Sequence, residues 1–444
     1  MKRISFVLSL FMALALSLCS CSNNDYINAI PGNSTLLIST KPAKLSGVGS
    51  PTMLKTMLHV SNLDNAGLDL SEDVFFFEDA QGNFGLCAKV KDEDDLEKTA
   101  KRLKCDVHHK RDFNFAALPN NWILGWSKRA ALLMGPVVPA AQAEMMSLMA
   151  KYLGEDEDDG IKATPIYDKI DSINAPMSLV CQTSALPDQF VAPFTLGAPR
   201  DANPSDIYIA AEMKVANGRL HINGQTFSFK RNIEQALQQA HAIYRPIKGK
   251  YVKSMAKNDM IGMFLNVDGT KFIKLMQQNR GIQALLTGIN SAIDMDNIIK
   301  GVNGDMTIIA PSLGSDNFQM TMAAQLKNAD WLGDVDYWKQ SVPQGGHIGD
   351  WGRDCYYYTD SKTTYFFGVT QDWQYMSGSS KEKALQSIKA TADPIDATLQ
   401  QDIKGQKLVL VINLAAVKGS KAQAVTGMLA PLFGKLNAIV YTLQ

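Results

Sequence analysis

Two stretches of this chain align with one another at a spacing that widens steadily, and no other feature limits the possible folds as much. Asn33 to Ile38 (NSTLLI) aligns with Asn258 to Met263 (NDMIGM), 225 residues later. Asp73 to Phe76 aligns with Asp305 to Ile308 at 232, Ala88 to Leu96 (AKVKDEDDL) with Ala324 to Leu332 (AQLKNADWL) at 236, and Trp122 to Gly125 (WILG) with Tyr365 to Gly368 (YFFG) at 243. Chance matches scatter in offset, whereas insertions accumulating in a second copy make it rise. Ile173 to Cys181 then aligns with Ile403 to Val411 at 230, so the first copy carries about 13 extra residues between, in an interval that holds the acidic run Glu155 to Gly160.

Each copy reads as a β-rich strand, a helical stretch, a hairpin, a charged helix start, two aromatic strands, a helix and a further strand. The clearest strands of the first copy are Leu36 to Thr40, Val74 to Glu78, Phe84 to Val90 and Trp122 to Trp126. Helices are expected from Asp94 to Lys104, from Pro139 to Leu153 with Met145, Met146, Met149 and Leu153 on one side, and from Asn232 to Tyr244. A hairpin through Ile207 to Met213 and Leu220 to Phe229 turns at Asn217-Gly218, the pair that suits a type I′ turn. Hairpins outnumber strand-helix-strand crossovers, which argues against a doubly wound parallel sheet. The expected class is α+β, with two tandem related domains whose mainly antiparallel sheets are flanked by helices. In the second copy, Ala438 to Leu443 corresponds to the strand near Ile207, and no counterpart of the Asn217-Gly218 hairpin follows it.

The chain opens with Lys2 and Arg3 and then an apolar run from Ile4 to Leu18, the pattern of a secretory signal. The run is roughly 15 residues where a membrane-spanning helix needs about 20, and it gives way at once to Ser22, Asn23, Asn24 and Asp25. Leu18, Cys19 and Ser20 ahead of Cys21 resemble the box cut by lipoprotein signal peptidase, with an aliphatic residue at −3 and a small one at −1. That resemblance implies cleavage before Cys21 and lipid on its sulfur; thioether diacylglycerol plus an added N-acyl chain holds a protein on a bilayer for long periods. Ser22, where an inner-membrane retention signal would place Asp, points by resemblance to sorting toward the outer membrane. The expected organisation is therefore a signal peptide over 1–20, a lipidated tether over 21–27, a first repeat domain over 28–249 and a second over 250–444.

Lysine and arginine number 44 and aspartate and glutamate 44, so loss of Lys2 and Arg3 leaves the mature body near −2. That removes the electrostatic case for nucleic acid, which needs a basic stripe. Cys87, Cys105, Cys181 and Cys355 have no partners at metal-like spacing. Cys87 and Cys105 flank one helix, so a bridge between them and buried free thiols are the two alternatives.

With the Cys21 anchor, the opening segment Ile30-Pro31-Gly32-Asn33-Ser34-Thr35-Leu36-Leu37-Ile38 and the duplicated layout, the chain resembles a family of large Bacteroidetes lipoproteins of unknown function. The resemblance covers nearly all of the mature chain. It implies an envelope location and carries no catalytic assignment.

Ser254-Met255-Ala256-Lys257 fits the Ser-x-x-Lys of penicillin-recognising serine enzymes, but Ser-Asp-Asn and Lys-Thr-Gly partners are lacking and the repeat places the motif at the entry to a strand. Glu155 to Gly160 resembles the start of a calcium loop, yet the twelfth position, which should be a bidentate glutamate, is Ile166, so a solvated linker is the plainer reading. His108 and His109, adjacent in a strand, point to opposite faces and do not chelate one ion together. His59, His221, His241 and His347 are scattered. No catalytic residue, metal ligand or cofactor is assigned.

The remaining functional hint is aromatic: Trp351, Tyr356, Tyr357, Tyr358, Tyr365, Phe366, Phe367, Trp373 and Tyr375 crowd the second copy, where Phe113, Phe115, Trp122 and Trp126 occupy matching strands of the first. Alternate residues line a core, but consecutive tyrosines put at least one ring outward, where it stacks on sugars or a partner surface. Trp351, Tyr356, Tyr357, Tyr358, Trp373 and Tyr375 form the candidate ligand or partner surface. The expectation is a lipid-anchored outer-membrane protein with a non-enzymatic binding or assembly role toward a glycan or another envelope protein. The alternatives are a lipid-anchored hydrolase of glycan or peptide, marked by a cleft joining carboxylates, and a filament subunit, marked by an unpaired sheet edge.

Overall fold

The structure, a computed structural model, describes residues 24–42, 66–186, 188–280, 283, 292–312, 320–416 and 436–444. The signal segment, Cys21 and the first residues of the tether lie outside the described residues. The chain divides into two compact units, residues 1–180 and 181–444. The Asn217-Gly218 hairpin and the helix after it, read from sequence as part of a first domain over 28–249, fold with the second unit.

In the first unit the strands are β1 (Leu36–Thr40), β2 (Val74–Glu78), β3 (Phe84–Lys89), β4 (Val107–Lys110), β5 (Phe113–Leu118), β6 (Trp122–Trp126), β7 (Ala130–Met134) and β8 (Met177–Gln182). They lie in the order β8-β1-β2-β3-β7-β6-β5-β4. Helices α1 (Glu93–Arg102), α2 (Gln142–Gly154) and α3 (Pro165–Asp171) accompany them. The charged start of α1 has a physical reason: Asp92 caps it by accepting the Asp95 amide at 2.9 Å, Glu93 to Asp95 fill the first turn, and Lys101 and Arg102 the last. That arrangement complements the helix dipole while Leu96 and Ala100 turn into the core.

In the second unit the strands are β9 (Tyr208–Ala216), β10 (Arg219–Phe227), β11 (Ile261–Asp268), β12 (Val302–Ala310), β13 (Thr321–Leu326), β14 (His347–Gly352), β15 (Cys355–Thr359), β16 (Thr364–Val369), β17 (Gln374–Gly378), β18 (Leu408–Asn413) and β19 (Ala438–Leu443). Their order is β9-β10-β19-β18-β11-β12-β13-β17-β16-β15-β14. The helices are α4 (Asp188–Phe194), α5 (Arg231–His241), α6 (Gly269–Gln278), α7 (Met295–Lys300), α8 (Val335–Ser341), α9 (Lys381–Ser387) and α10 (Ala397–Ile403). The class is α+β. Every pairing with a described register is antiparallel except β10 with β19, which is parallel.

Strands β1 to β8 and β11 to β18 thus take the same order, and the agreement extends to individual residues. Leu36 lies opposite Glu78 and Ile261 opposite Ala310, positions related by the offsets 225 and 232. Cys87 opposite Phe75 corresponds to Ala323 opposite Thr307, at offsets 236 and 232. Gly125 opposite Leu132 corresponds to Gly368 opposite Met376. The hairpin β9–β10 turns at Asn217 and Gly218, both at positive φ, as the type I′ geometry requires. Its second strand then lies between β9 and β19.

Cys87, Cys105, Cys181 and Cys355 are all buried and free, so the Cys87 to Cys105 bridge does not form. The first-unit helix expected from Pro139 to Leu153 runs over Gln142–Gly154 and buries Met145, Met149, Tyr152 and Leu153; Met146 is only half-buried.

One buried carboxylate ties the segment ahead of β11 to the second unit's sheet. Asp305, 2% exposed, accepts the backbone amides of Lys248 at 2.9 Å and Lys250 at 2.8 Å and the side-chain amide of Asn266 at 2.9 Å. Removing it takes the acceptor from two part-buried backbone amides and from the buried Asn266 amide, which also donates to the Pro246 carbonyl at 3.0 Å. Asp305→Ala should therefore cost about 2 kcal/mol of stability, read as a lower urea midpoint, with Asp305→Asn recovering part of the loss. An unchanged midpoint for Asp305→Ala would show that these donors find water instead.

Candidate functional site

The second unit's aromatic strands separate into two faces because paired residues on neighbouring strands share a face. On the inner face Tyr356 lies opposite Phe367 and Tyr358 opposite Tyr365. Trp331, 1% exposed, stacks on Trp338 at 6.0 Å and meets the rings of Phe367, Tyr356 and Tyr375 at 6.0 to 6.4 Å. Tyr375 is fully buried and its hydroxyl lies 2.9 Å from that of Tyr365. This side is core.

The outer face carries Tyr357 opposite Phe366, with the rings stacked at 5.5 Å. Trp351, in the bulge between Asp350 and Gly352, meets Phe366 at 6.1 Å and donates its indole N–H to the Tyr356 carbonyl at 2.7 Å. His347 meets Tyr357 at 5.8 Å. Gly349 lies opposite Tyr357, where a Cβ would come within 2.6 Å of the tyrosine ring; its bareness lets Tyr357 lie across β14. The Lys381 ammonium sits over Trp351, 5.4 Å from the ring centroid. His347 is exposed, and Trp351, Tyr357 and Phe366 are half-buried.

Among the described residues the strip is partly open because the helix beside it is short. α9, seven residues long, packs on β17, β13 and β16 and settles against Gly378, directly beside Phe366. The corresponding α2 has thirteen residues and packs on β5, β6 and β7. There the Phe115 ring lies over Gly125 with the Met149 methyl beside it, and Phe115 and Ile123 are buried. Cys355 stands at the position of Phe115, and burial together with Asp354 pushes its thiol up, so it stays protonated and unreactive.

Of the six residues expected at a binding surface, Trp351 and Tyr357 meet on the outer face. Tyr356, Tyr358 and Tyr375 belong to the inner face: Tyr375 and Tyr358 are buried, and the Tyr356 ring packs on Trp331 and Phe367. Trp373, 48% exposed, sits alone in the turn between β16 and β17. Sequence reasoning counted Phe366 in the cluster without placing it at the surface, and missed His347 and Lys381. Lys381 does leave a signal, being a cation in the first turn of a helix, where the dipole disfavours it.

The other motifs are engaged structurally. The Ser254 hydroxyl donates to the Tyr251 carbonyl at 2.8 Å, while Lys257 pairs with Asp393 at 2.7 Å. His108 and His109 sit on β4, largely open to solvent.

In the run Glu155 to Gly160, burial pushes the Glu155 carboxyl up to about 7, with Lys151 opposing and Asp159 and Asp156 adding to the rise. One of its oxygens is buried without a partner. A carboxyl raised on folding favours the folded state when protonated, so this contribution falls as pH climbs from the unfolded value near 4.5 through about 7. Glu155→Gln should therefore stabilise the protein at pH 8 and leave it unchanged at pH 4, measured by thermal unfolding at both. Equal effects at the two pH values would contradict the burial.

A family model described as a domain of unknown function (DUF4836) matches residues 50–440. No curated protein matches the chain. Among solved structures, crystal form IV of TP0453 is 8% identical, covering 44% of this chain and 76% of that one with a TM-score of 0.27. Crystal form I of TP0453, also 8% identical, covers 82% and 96% with a TM-score of 0.23. Scores this low carry no argument about fold or function. No helix among the described residues is long and apolar enough to cross a membrane.

Proposed function

The chain belongs to the DUF4836 family, and from that premise we propose that it is a lipid-anchored cell-envelope protein built from two tandem copies of one α+β domain, of which the second binds. The shared order of eight strands and the agreement of their registers with the sequence offsets support the duplication. Cys21, lipidated after removal of residues 1–20, attaches the protein to the outer membrane of a Bacteroidetes-type envelope, as its signal sequence implies. The observation that carries the binding role is the outward-facing strip of His347, Trp351, Tyr357 and Phe366, partly open among the described residues, with Lys381 over Trp351.

Flat aromatic faces with polar edges suit the ring faces of a sugar, and the lysine adds a donor at one end. A glycan is therefore the first expectation, with a protein of the same envelope as the other. The carboxylates at the rim favour binding over hydrolysis: Asp350 pairs with Lys339 at 2.9 Å and Asp354 with Arg353 at 3.6 Å.

Separate variants test anchor and strip. Cys21→Ala should move the protein from the membrane to the soluble fraction and leave binding on a glycan array intact. Trp351→Ala with Phe366→Ala should do the reverse, keeping the protein on the membrane and lowering array binding by at least about tenfold, since each stacked ring is worth about a kcal/mol beyond its buried area. Full array binding by the double variant would refute the strip as the site.

A further inference from the structure

A second concavity lies in the same unit and uses none of the strip's residues. One wall is a face of α5 and the turn after it, carrying Ala236, Ala240 and Ile243; the other is a face of α6, carrying Lys271, Lys274 and Leu275. The segment Gly197 to Arg200 supplies the third side. Residues spaced three and four apart share one face of a helix, which is why each wall is continuous. The groove encloses about 550 Å³, within the roughly 300–1,000 Å³ of small-molecule sites. Gly197 sits at φ +91°, and a Cβ there would come 2.1 Å from that of Ala240, so only glycine lets this segment seat against α5.

The charge in the groove is all of one sign. Arg200, Lys271 and Lys274 line it, no carboxylate does, and none of the three is ion-paired among the described residues. The nearby acids face other partners. Glu234 accepts the Ser228 amide at 2.8 Å and the Gln238 side chain at 2.7 Å, Asp268 caps α6 through the Thr270 amide, and Asp296 accepts from Gln277. Lys271 lies in the first turn of α6, the end at which a helix disfavours a cation. Three exposed cations with no ion pair among the described residues thus stand beside an apolar floor, an arrangement that suits an anion carrying an apolar chain.

We propose that this groove binds an anionic amphiphile, with the phosphate or carboxylate headgroup on Arg200, Lys271 and Lys274 and the acyl chain along Ala236, Ile243 and Leu275. Headgroup and chain are both required. A bare anion gains nothing from the floor, and an uncharged amphiphile leaves the cations unanswered.

Calorimetric titration of the full chain carrying Cys21→Ala, with dodecyl phosphate below its micelle concentration, tests the proposal. Inorganic phosphate and dodecyl maltoside serve as the headgroup-only and chain-only probes. Dodecyl phosphate should bind at one site per chain and at least about tenfold more tightly than either control. Lys271→Gln with Lys274→Gln should weaken it by about tenfold or more, whereas Lys362→Gln with Lys389→Gln, an equal charge change outside the groove, should not. Circular dichroism of each variant separates lost binding from lost folding. No binding of dodecyl phosphate, equal binding of either control probe, or indifference to the Lys271 and Lys274 changes would each overturn the proposal. Binding that survives in the Trp351→Ala, Phe366→Ala variant separates this site from the aromatic strip.

Discussion

A strand that slips by one residue turns every side chain to the opposite face, and in this protein the most buried strands have no spare face to turn to. β8 reads Met177-Ser178-Leu179-Val180-Cys181-Gln182 and is buried at its first five positions; β18 is buried from Leu408 to Val411. Packing on both sides makes any slip expensive, so register is the constraint from which the rest follows. It decides that Tyr356 and Tyr358 pack inward and Tyr357 outward, that Gly125 and Gly368 fall at matching points, and that Asp305 reaches the segment it holds.

Against that common framework the two units differ in how their sheets are covered. Thirteen residues of α2 close over β5 to β7, whereas seven residues of α9 stop beside Phe366. The sequence changes with the cover: Phe115 becomes Cys355, Ile123 becomes Phe366 and Ala117 becomes Tyr357. A buried phenylalanine gives way to a small thiol, and larger rings appear where the helix no longer reaches. The half-buried rings of Trp351, Tyr357 and Phe366 are thus the second unit's own feature, standing where the first unit has an exposed Ala117 and a buried Ile123.

Much of this is legible in the sequence itself. Runs such as Leu36 to Thr40, Val74 to Glu78 and Trp122 to Trp126 are β-branched or aromatic and bounded by turn residues, and the strands fall on those bounds. An offset that is constant within a strand and changes only in loops is itself a statement of register, which is why the alignment anticipated the cross-strand pairs. Period two says that tyrosines alternate between faces, but not which one is covered; that depends on how far α9 reaches and on the bulge at Trp351. The Asn217-Gly218 turn announces the hairpin, but nothing near it announces that β10 pairs in parallel with β19, with Arg219 opposite Ala438. The groove between α5 and α6 was equally invisible, because its cations come from segments about seventy residues apart in sequence and only the fold gathers them.

The central claim is that two units whose strands share order and register differ in the reach of one helix. Hydroxyl-radical footprinting of the native protein, read residue by residue, tests it directly. The account predicts oxidation at Trp351, Tyr357 and Phe366 and protection of Phe115, Trp331 and Tyr375. Protection of the Trp351 strip, or oxidation of Phe115 to the same extent, would contradict it.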